Sequence, residues 1–129
     1  MDIRETSVRL VTMFALCLYI GDGIASDGTS RPATKAEIKA IEKAAHASSV
    51  LKDPDSVKIR NVLFSLVEEG FFCGQFNAKN SYGAYGGYAY FFGTADKKLK
   101  YVFPSFDDAG PESDPFTIKV CRDKGIMID

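Results

Sequence analysis

The segment from residue 51 to residue 87 constrains the fold of this chain more than any other. It reads LKDPDSVKIRNVLFSLVEEGFFCGQFNAKNSYGAYGG. A proline-containing turn is followed by two strand-like runs, which the turn sequence Glu68-Glu69-Gly70 separates. The first run begins with alternating apolar and polar residues, a pattern that indicates a strand with one buried face and one wet face. Two such runs joined by a short turn predict an antiparallel hairpin, with a bulge at Asn61 in the first strand.

A helix is predicted before this hairpin, over residues 34–48. Thr34 and Glu37 have the spacing of a capping box, in which each side chain accepts a hydrogen bond from the backbone of the other residue. Ile41 lies on the apolar face of this helix. The helical region ends before Pro54, because the residue that precedes a proline avoids the α conformation.

Further strands are predicted after the hairpin, over residues 88–94, 99–103 and 116–121. A loop rich in Asn, Gly and Tyr precedes the first of them, and a long polar connection precedes the last. The sequence therefore predicts a single α+β domain over residues 34–129. In this domain one N-terminal helix packs on an antiparallel sheet of four to five strands.

Residues 1–25 have the order of parts of a secretory signal peptide. Two arginines precede the apolar run LVTMFALCLYI, and the small residues of Gly23-Ile24-Ala25 follow it. This run is shorter than the roughly 20 apolar residues that a membrane-spanning helix needs. We therefore expect a periplasmic or secreted protein with no transmembrane span, whose mature chain starts with a flexible segment, residues 26–33. The alternative is a buried N-terminal helix of a cytosolic domain.

The cysteines predict one disulfide if the chain is exported. Cleavage after Ala25 would remove Cys17 and leave the pair Cys73 and Cys121. In an exported domain such a pair indicates a bridge, here closing a loop of about 48 residues and stabilising by roughly 3–4 kcal/mol. Two alternatives stay open: two buried free thiols in a chain that is not exported, and lipidation of Cys17, although Leu16 is a poor match to a lipobox.

Two motifs in the central segment, LKDPDSVKIRNV and CGQFNAKNSYGAYGG, carry a resemblance to a family pattern. They resemble small exported proteins and lipoproteins of Gram-negative bacteria and their prophages. The resemblance spans residues 51–90, about a third of the chain. This chain differs at Gln75-Phe76, where the pattern has an acidic residue and a valine. The resemblance implies an exported protein with the same local fold, and it carries over no catalytic residue.

Charge and reactive side chains argue against several functions. The formal net charge of −1 gives no electrostatic reason to expect a nucleic-acid partner. His46 is the only histidine, so we expect no catalytic triad, no zinc site and no cofactor. A hydrolase with a carboxylate pair is the weakest alternative. Its candidates are Glu68, Glu69, Asp107 and Asp108, and the first two are adjacent, so they point to opposite sides of an extended chain.

The loop after the second predicted strand holds the candidate partner-binding residues. These are Asn77, Lys79, Asn80, Tyr82 and Tyr85. Tyrosine together with Asn, Ser and Gly is typical of adaptable recognition surfaces, and loops on a rigid scaffold often carry binding. The alternative is a structural role, in which the asparagines close a turn and the tyrosines pack on the sheet.

These observations favour a non-catalytic binding module outside the cytoplasm. Its partner would be a protein of the cell envelope, as for an immunity, inhibitor or phage-exclusion protein. A binder of cell-envelope glycan is the second hypothesis, because tyrosine rings stack on sugars, and the hydrolase is the third.

Overall fold

A computed structural model of the chain describes residues 28–107 and 110–128. The predicted signal peptide, residues 1–25, lies outside the described residues. The described strands are β1 (Ser30–Pro32), β2 (Lys58–Ser65), β3 (Phe71–Asn77), β4 (Ala89–Ala95) and β5 (Val102–Ser105). The described α-helices are α1 (Lys35–His46) and α2 (Asp114–Asp123). All neighbouring strands pair antiparallel in chain order, so the sheet is a meander, β1-β2-β3-β4-β5.

Helix α1 begins at the capping box that the sequence predicts. The Glu37 N–H donates to Thr34 Oγ1 at 3.2 Å, and the Thr34 N–H donates to Glu37 Oε1 at 2.8 Å. Arg31 of β1 donates to both oxygens of the same carboxylate, at 2.7 and 2.8 Å. These bonds from Arg31 are the main reason that the pKa of Glu37 is lowered to about 2. The ion pair thus joins β1 to the first turn of α1.

The sheet carries an apolar core on each of its two faces. Helix α1 covers the first face, where the buried residues are Ile41, Ala45, Leu51, Val62, Phe64, Phe72, Phe76, Ala89, Phe91 and Phe106. Helix α2 lies against part of the second face, where the buried residues are Phe71, Cys73, Cys121 and Ile126. The central strand β3 serves both cores, because successive side chains of a strand point to opposite faces.

A disulfide joins the central strand to the C-terminal helix. Cys73 of β3 and Cys121 of α2 form the bridge, with their Cα atoms 6.3 Å apart. Both residues are fully buried. The predicted pairing is therefore confirmed, and it fixes α2 to the second face of the sheet.

The predicted α+β class with an antiparallel sheet is confirmed, but two of its details are wrong. Residues 116–121, predicted as a strand, belong to α2, so the single N-terminal helix of the prediction is incorrect. A helix is consistent with Pro115 in the first turn and with the buried Thr117 and Cys121, which are four residues apart. The prediction of a strand relied on the β-branched residues of this segment. Residues 30–32, predicted as part of a flexible start, form β1 and pair with β2.

Candidate functional site

The second face of the sheet is divided between a covered end and an open end. Helix α2 and the disulfide cover one end. At the other end lie the exposed Lys58 and Arg60 of β2 and the half-buried Gln75 of β3, which pairs with Arg60 in register. We call this open end, together with the side chains from the loop after β3, the cationic–aromatic face. Its residues are Lys58, Arg60, Gln75, Lys79, Tyr85 and Tyr88.

Each cation of this face lies over a tyrosine ring. The Arg60 guanidinium carbon is 3.5 Å from the centroid of the Tyr88 ring, and Lys58 Nζ is 4.5 Å from that of Tyr85. Lys79 Nζ lies 5.8 Å from the same Tyr85 centroid. The negative face of an aromatic ring attracts a cation, so these rings restrict the positions of the three charged groups.

The Asp-Pro-Asp-Ser turn anchors the loop that supplies these rings. Ser56 Oγ donates to the Asp53 carbonyl at 2.7 Å and accepts from the Lys79 N–H at 2.8 Å. The Tyr85 hydroxyl donates to the Ser56 carbonyl at 2.8 Å. Lys79 and Tyr85 are themselves partners in a short antiparallel bridge. The two sequence motifs around residues 56 and 80 thus form one structural unit beside the open face.

A bulge in β2 fixes the other side of the face. The register between β2 and β3 shifts after Arg60, so the bulge predicted at Asn61 is confirmed, and Asn61 has a left-handed φ of 54°. Gln75 Oε1 accepts from Arg60 Nε and from Asn61 Nδ2, each at 3.0 Å. Arg60 is therefore held both by the Tyr88 ring and by the neighbouring strand.

The charge of this face is not balanced within the part of the chain that the structure describes. There, no carboxylate lies within the 4.0 Å of an ion pair from Lys58, Arg60 or Lys79. The two lysines also lie around one ring, where like charges repel each other. The face is therefore electrostatically complementary to a negatively charged surface.

The predicted loop residues divide between this face and the loop itself. Lys79 and Tyr85 belong to the face. Asn80 closes the loop, because its Oδ1 accepts from the N–H groups of Tyr82 and Ala84 at 2.9 and 3.2 Å, as the alternative structural role requires. Tyr82 is 93% exposed.

Asn77 lies at the end of β3, beside Lys58 in the register, and its side-chain oxygen is buried without a hydrogen-bond partner among the described residues.

Sequence reasoning missed four of the six residues of the face. Lys58, Arg60, Gln75 and Tyr88 were not named as binding residues. The alternation of Lys58 and Arg60 with apolar neighbours did mark one wet strand face. Only the pairing of β2, β3 and β4 shows that this wet face lies beside the tyrosines of the loop.

A pocket of about 370 Å³ lies on the other side of the loop. Its lining includes the apolar Leu51, Phe76 and Ala89 and the charged Lys52, Lys79 and Asp107. An apolar floor with a few polar groups at the rim is typical of small-ligand sites.

The structure describes three of the four carboxylates considered for a hydrolase. Glu68 and Glu69 each form an ion pair with a different lysine, at 3.0 and 3.1 Å. Asp107 lies at the pocket, and Asp108 lies outside the described residues. Among residues 28–107 and 110–128, no group of three or more His, Cys, Asp or Glu side chains is placed to hold a metal ion.

No protein-family model, no curated protein and no solved structure matches this chain. In the described ranges, neither α-helix has the length and apolar character needed to cross a lipid bilayer. The cationic–aromatic face is the strongest functional signal that the described residues offer.

Proposed function

We propose that this chain is an exported, non-catalytic binding module that recognises a protein of the cell envelope through its cationic–aromatic face. The observation that carries this proposal is the placement of Lys58, Arg60 and Lys79 over tyrosine rings, without a carboxylate partner among the described residues. Cations held in place before binding lose less conformational entropy when a partner arrives. The partner surface at this face is therefore acidic.

Two observations support a location outside the cytoplasm. The Cys73–Cys121 bridge is of the kind that persists in oxidising compartments. The order of parts in residues 1–25 is that of a signal peptide, and the resemblance to exported proteins of Gram-negative bacteria and prophages agrees with it. An immunity, inhibitor or phage-exclusion protein would use such a module to bind one partner.

The test is capture of a partner from an envelope extract by two triple variants of the full chain. K58E/R60E/K79E reverses the three charges of the face. The control K39E/K98E/K100E makes the same change in net charge at exposed lysines outside the cationic–aromatic face. It also includes a lysine near a tyrosine ring, since Lys100 Nζ lies 5.6 Å from the centroid of the Tyr101 ring. We expect a discrete partner, identified by mass spectrometry, to be lost from the first variant and retained by the second. Equal capture by both folded variants would contradict the proposal.

A cell-envelope glycan is the second candidate partner, and the pocket beside the loop favours it. Tyr82, with 93% of its surface exposed, adjoins the pocket residue Ser81 and has an area on which a sugar ring can stack. Retention on purified peptidoglycan that is lost in Tyr82→Ala and kept in K58E/R60E/K79E would support this candidate over an acidic protein. The reverse pattern, or no retention, would exclude it.

A further inference from the structure

We infer that the partner binds as an extended acidic segment, with carboxylates at alternate positions, that adds to the free edge of β2. This inference rests on the proposed function, since it names the chemistry and conformation of the partner at the same face. Three features of the structure lead to it: an edge without a strand partner, the spacing of two cations along that edge, and the fixed positions of those cations.

Strand β1 pairs with only three of the eight residues of β2. It pairs with residues 63–65, and the chain then leaves the sheet to enter α1. Residues 58–61 of β2 have β3 on one side and no strand on the other among the described residues. An exposed edge of this kind presents backbone N–H and C=O groups with which an extended peptide can pair.

The two cations on this open part of β2 have the spacing of alternate residues in an extended chain. Lys58 and Arg60 are two residues apart, so their side chains leave the same face of the sheet about 6.5–7 Å from each other. A peptide paired with this edge has the same period, and every second side chain lies on that same face. Directly opposed side chains of paired strands have Cβ atoms about 4.5–5.5 Å apart, which is close enough for carboxylates to meet both cations.

Exposed charges on an edge strand also protect against unwanted pairing. Here, however, Arg60 is bonded to Gln75 and stacked on Tyr88, and Lys58 lies over Tyr85. A purely protective charge needs no fixed position. The fixed positions instead match a partner with its own regular spacing of negative charges.

The test uses short fluorescent peptides of identical composition and the oxidised full chain. One peptide has acidic residues at alternate positions with threonine between them. The second has the same residues in another order, with its acidic residues three positions apart, so that successive carboxylates lie on opposite faces of the strand. We expect fluorescence anisotropy to show about five- to tenfold tighter binding of the alternating peptide, since only this peptide places carboxylates opposite both cations. Binding should weaken with salt, and it should be lost in K58E/R60E and kept in K39E/K98E.

N-methylated peptides test the strand pairing itself. In an added strand, the N–H groups of alternate residues face β2, and the others face away. Methylation of one alternate set of the acidic peptide should therefore abolish binding, and methylation of the other set should leave it unchanged. Equal effects of both sets would overturn strand addition.

Other outcomes separate this inference from the proposed function. Equal binding of the two peptides would overturn the inference. So would selective binding of an acidic polysaccharide that has no backbone amides, such as polygalacturonate, in place of the peptides. In either case, capture of a discrete envelope protein that still depends on Lys58, Arg60 and Lys79 would leave the proposed function intact. Loss of that dependence as well would contradict both.

Discussion

The Cys73–Cys121 disulfide offers the sharpest test of how this domain is held together. It joins the central strand to the C-terminal helix across 48 positions of the sequence. We predict that removal of the bridge, either by reduction or in a C73A/C121A variant, strongly destabilises the domain and leaves the strand order of the sheet unchanged. The reason is that β2, β3 and β4 are packed on their first face by a separate core, which contains neither cysteine.

The magnitude follows from the size of the closed loop. For a loop of 48 residues, the chain-entropy relation gives a stabilisation of about 4 kcal/mol at 25 °C, through restriction of the unfolded chain. Both cysteines are fully buried, so the alanine variant also loses packing contacts that the reduced chain keeps. A total stability of about 5–15 kcal/mol is usual for a domain, so this loss is a large fraction of it.

Urea unfolding measures the effect directly. The oxidised chain, the reduced chain and C73A/C121A should be followed by circular dichroism. With an m-value of about 1.5–2 kcal/mol/M, the reduced chain should unfold at a urea concentration roughly 2–3 M lower than the oxidised chain, and the variant at a lower concentration still. Hydrogen exchange should show the largest loss of protection in α2, because the bridge holds this helix on the sheet.

Coincident midpoints for the oxidised and reduced chains would refute this reasoning. The loop would then be restricted in the unfolded chain by something other than the bridge. Loss of protection spread evenly over the sheet would refute the second part, because α2 and the first core would then unfold as one unit.

Three further predictions concern the core, an ion pair and the anchored loop. Gly93→Ala should destabilise the domain by about 2–3 kcal/mol in urea unfolding, because the added Cβ would lie 2.5 Å from Phe72 Cζ and 2.6 Å from the Phe103 carbonyl oxygen. Gly86→Ala is the matched control. No atom lies within 4 Å of its added Cβ, so the free energy of unfolding should change by less than about 0.5 kcal/mol. The pKa of Glu37 is lowered from 4.5 to about 2. Its ion pair with Arg31 should therefore stabilise the folded domain fully above pH 4.5, where Glu37 is also ionised in the unfolded chain. This contribution to the free energy of unfolding should vanish as the pH falls to about 2. Because Arg31 is 42% exposed, we expect only about 1–2 kcal/mol between wild type and Glu37→Gln at neutral pH, and a difference that does not shrink in acid would contradict this assignment. Tyr85→Phe should weaken binding of the acidic peptide, because it removes the hydrogen bond from the hydroxyl to Ser56 that orients the ring. Tyr82→Phe is the control and should leave binding unchanged, because the Tyr82 ring is exposed. Equal affinities of the two variants for the peptide would show that the anchored ring is unimportant.

Features that depend on residues close in sequence could be predicted from the sequence. The capping box of Thr34 and Glu37 needs only a spacing of three residues, and the structure contains both of its hydrogen bonds. The hairpin of β2 and β3 follows from two apolar runs with a turn between them, and the bulge at Asn61 lies where the alternation of apolar and polar residues breaks. The disulfide was predicted on the expectation that cleavage after Ala25 leaves two cysteines, and the structure contains the Cys73–Cys121 bridge.

The C-terminal helix was not predicted, because its local signals conflict. Phe116, Ile118 and Val120 are residues that favour a strand, and their alternation with polar residues has the period of one. The packing of Cys121 against Cys73 and of Ile126 against the same core settles the conflict in favour of a helix. This tertiary contact cannot be read from a short window of sequence.

The sequence alone determined the chemistry that the described residues have available: two cysteines, and a loop rich in tyrosine and asparagine. Only the tertiary structure decided which of these side chains lie next to each other. Lys58, Gln75 and Tyr88 lie on different segments of the chain, and the antiparallel register of three strands brings them to one end of one sheet face. The register sets which distant residues become neighbours, and it is fixed when the apolar side chains of all three strands face the buried cores together.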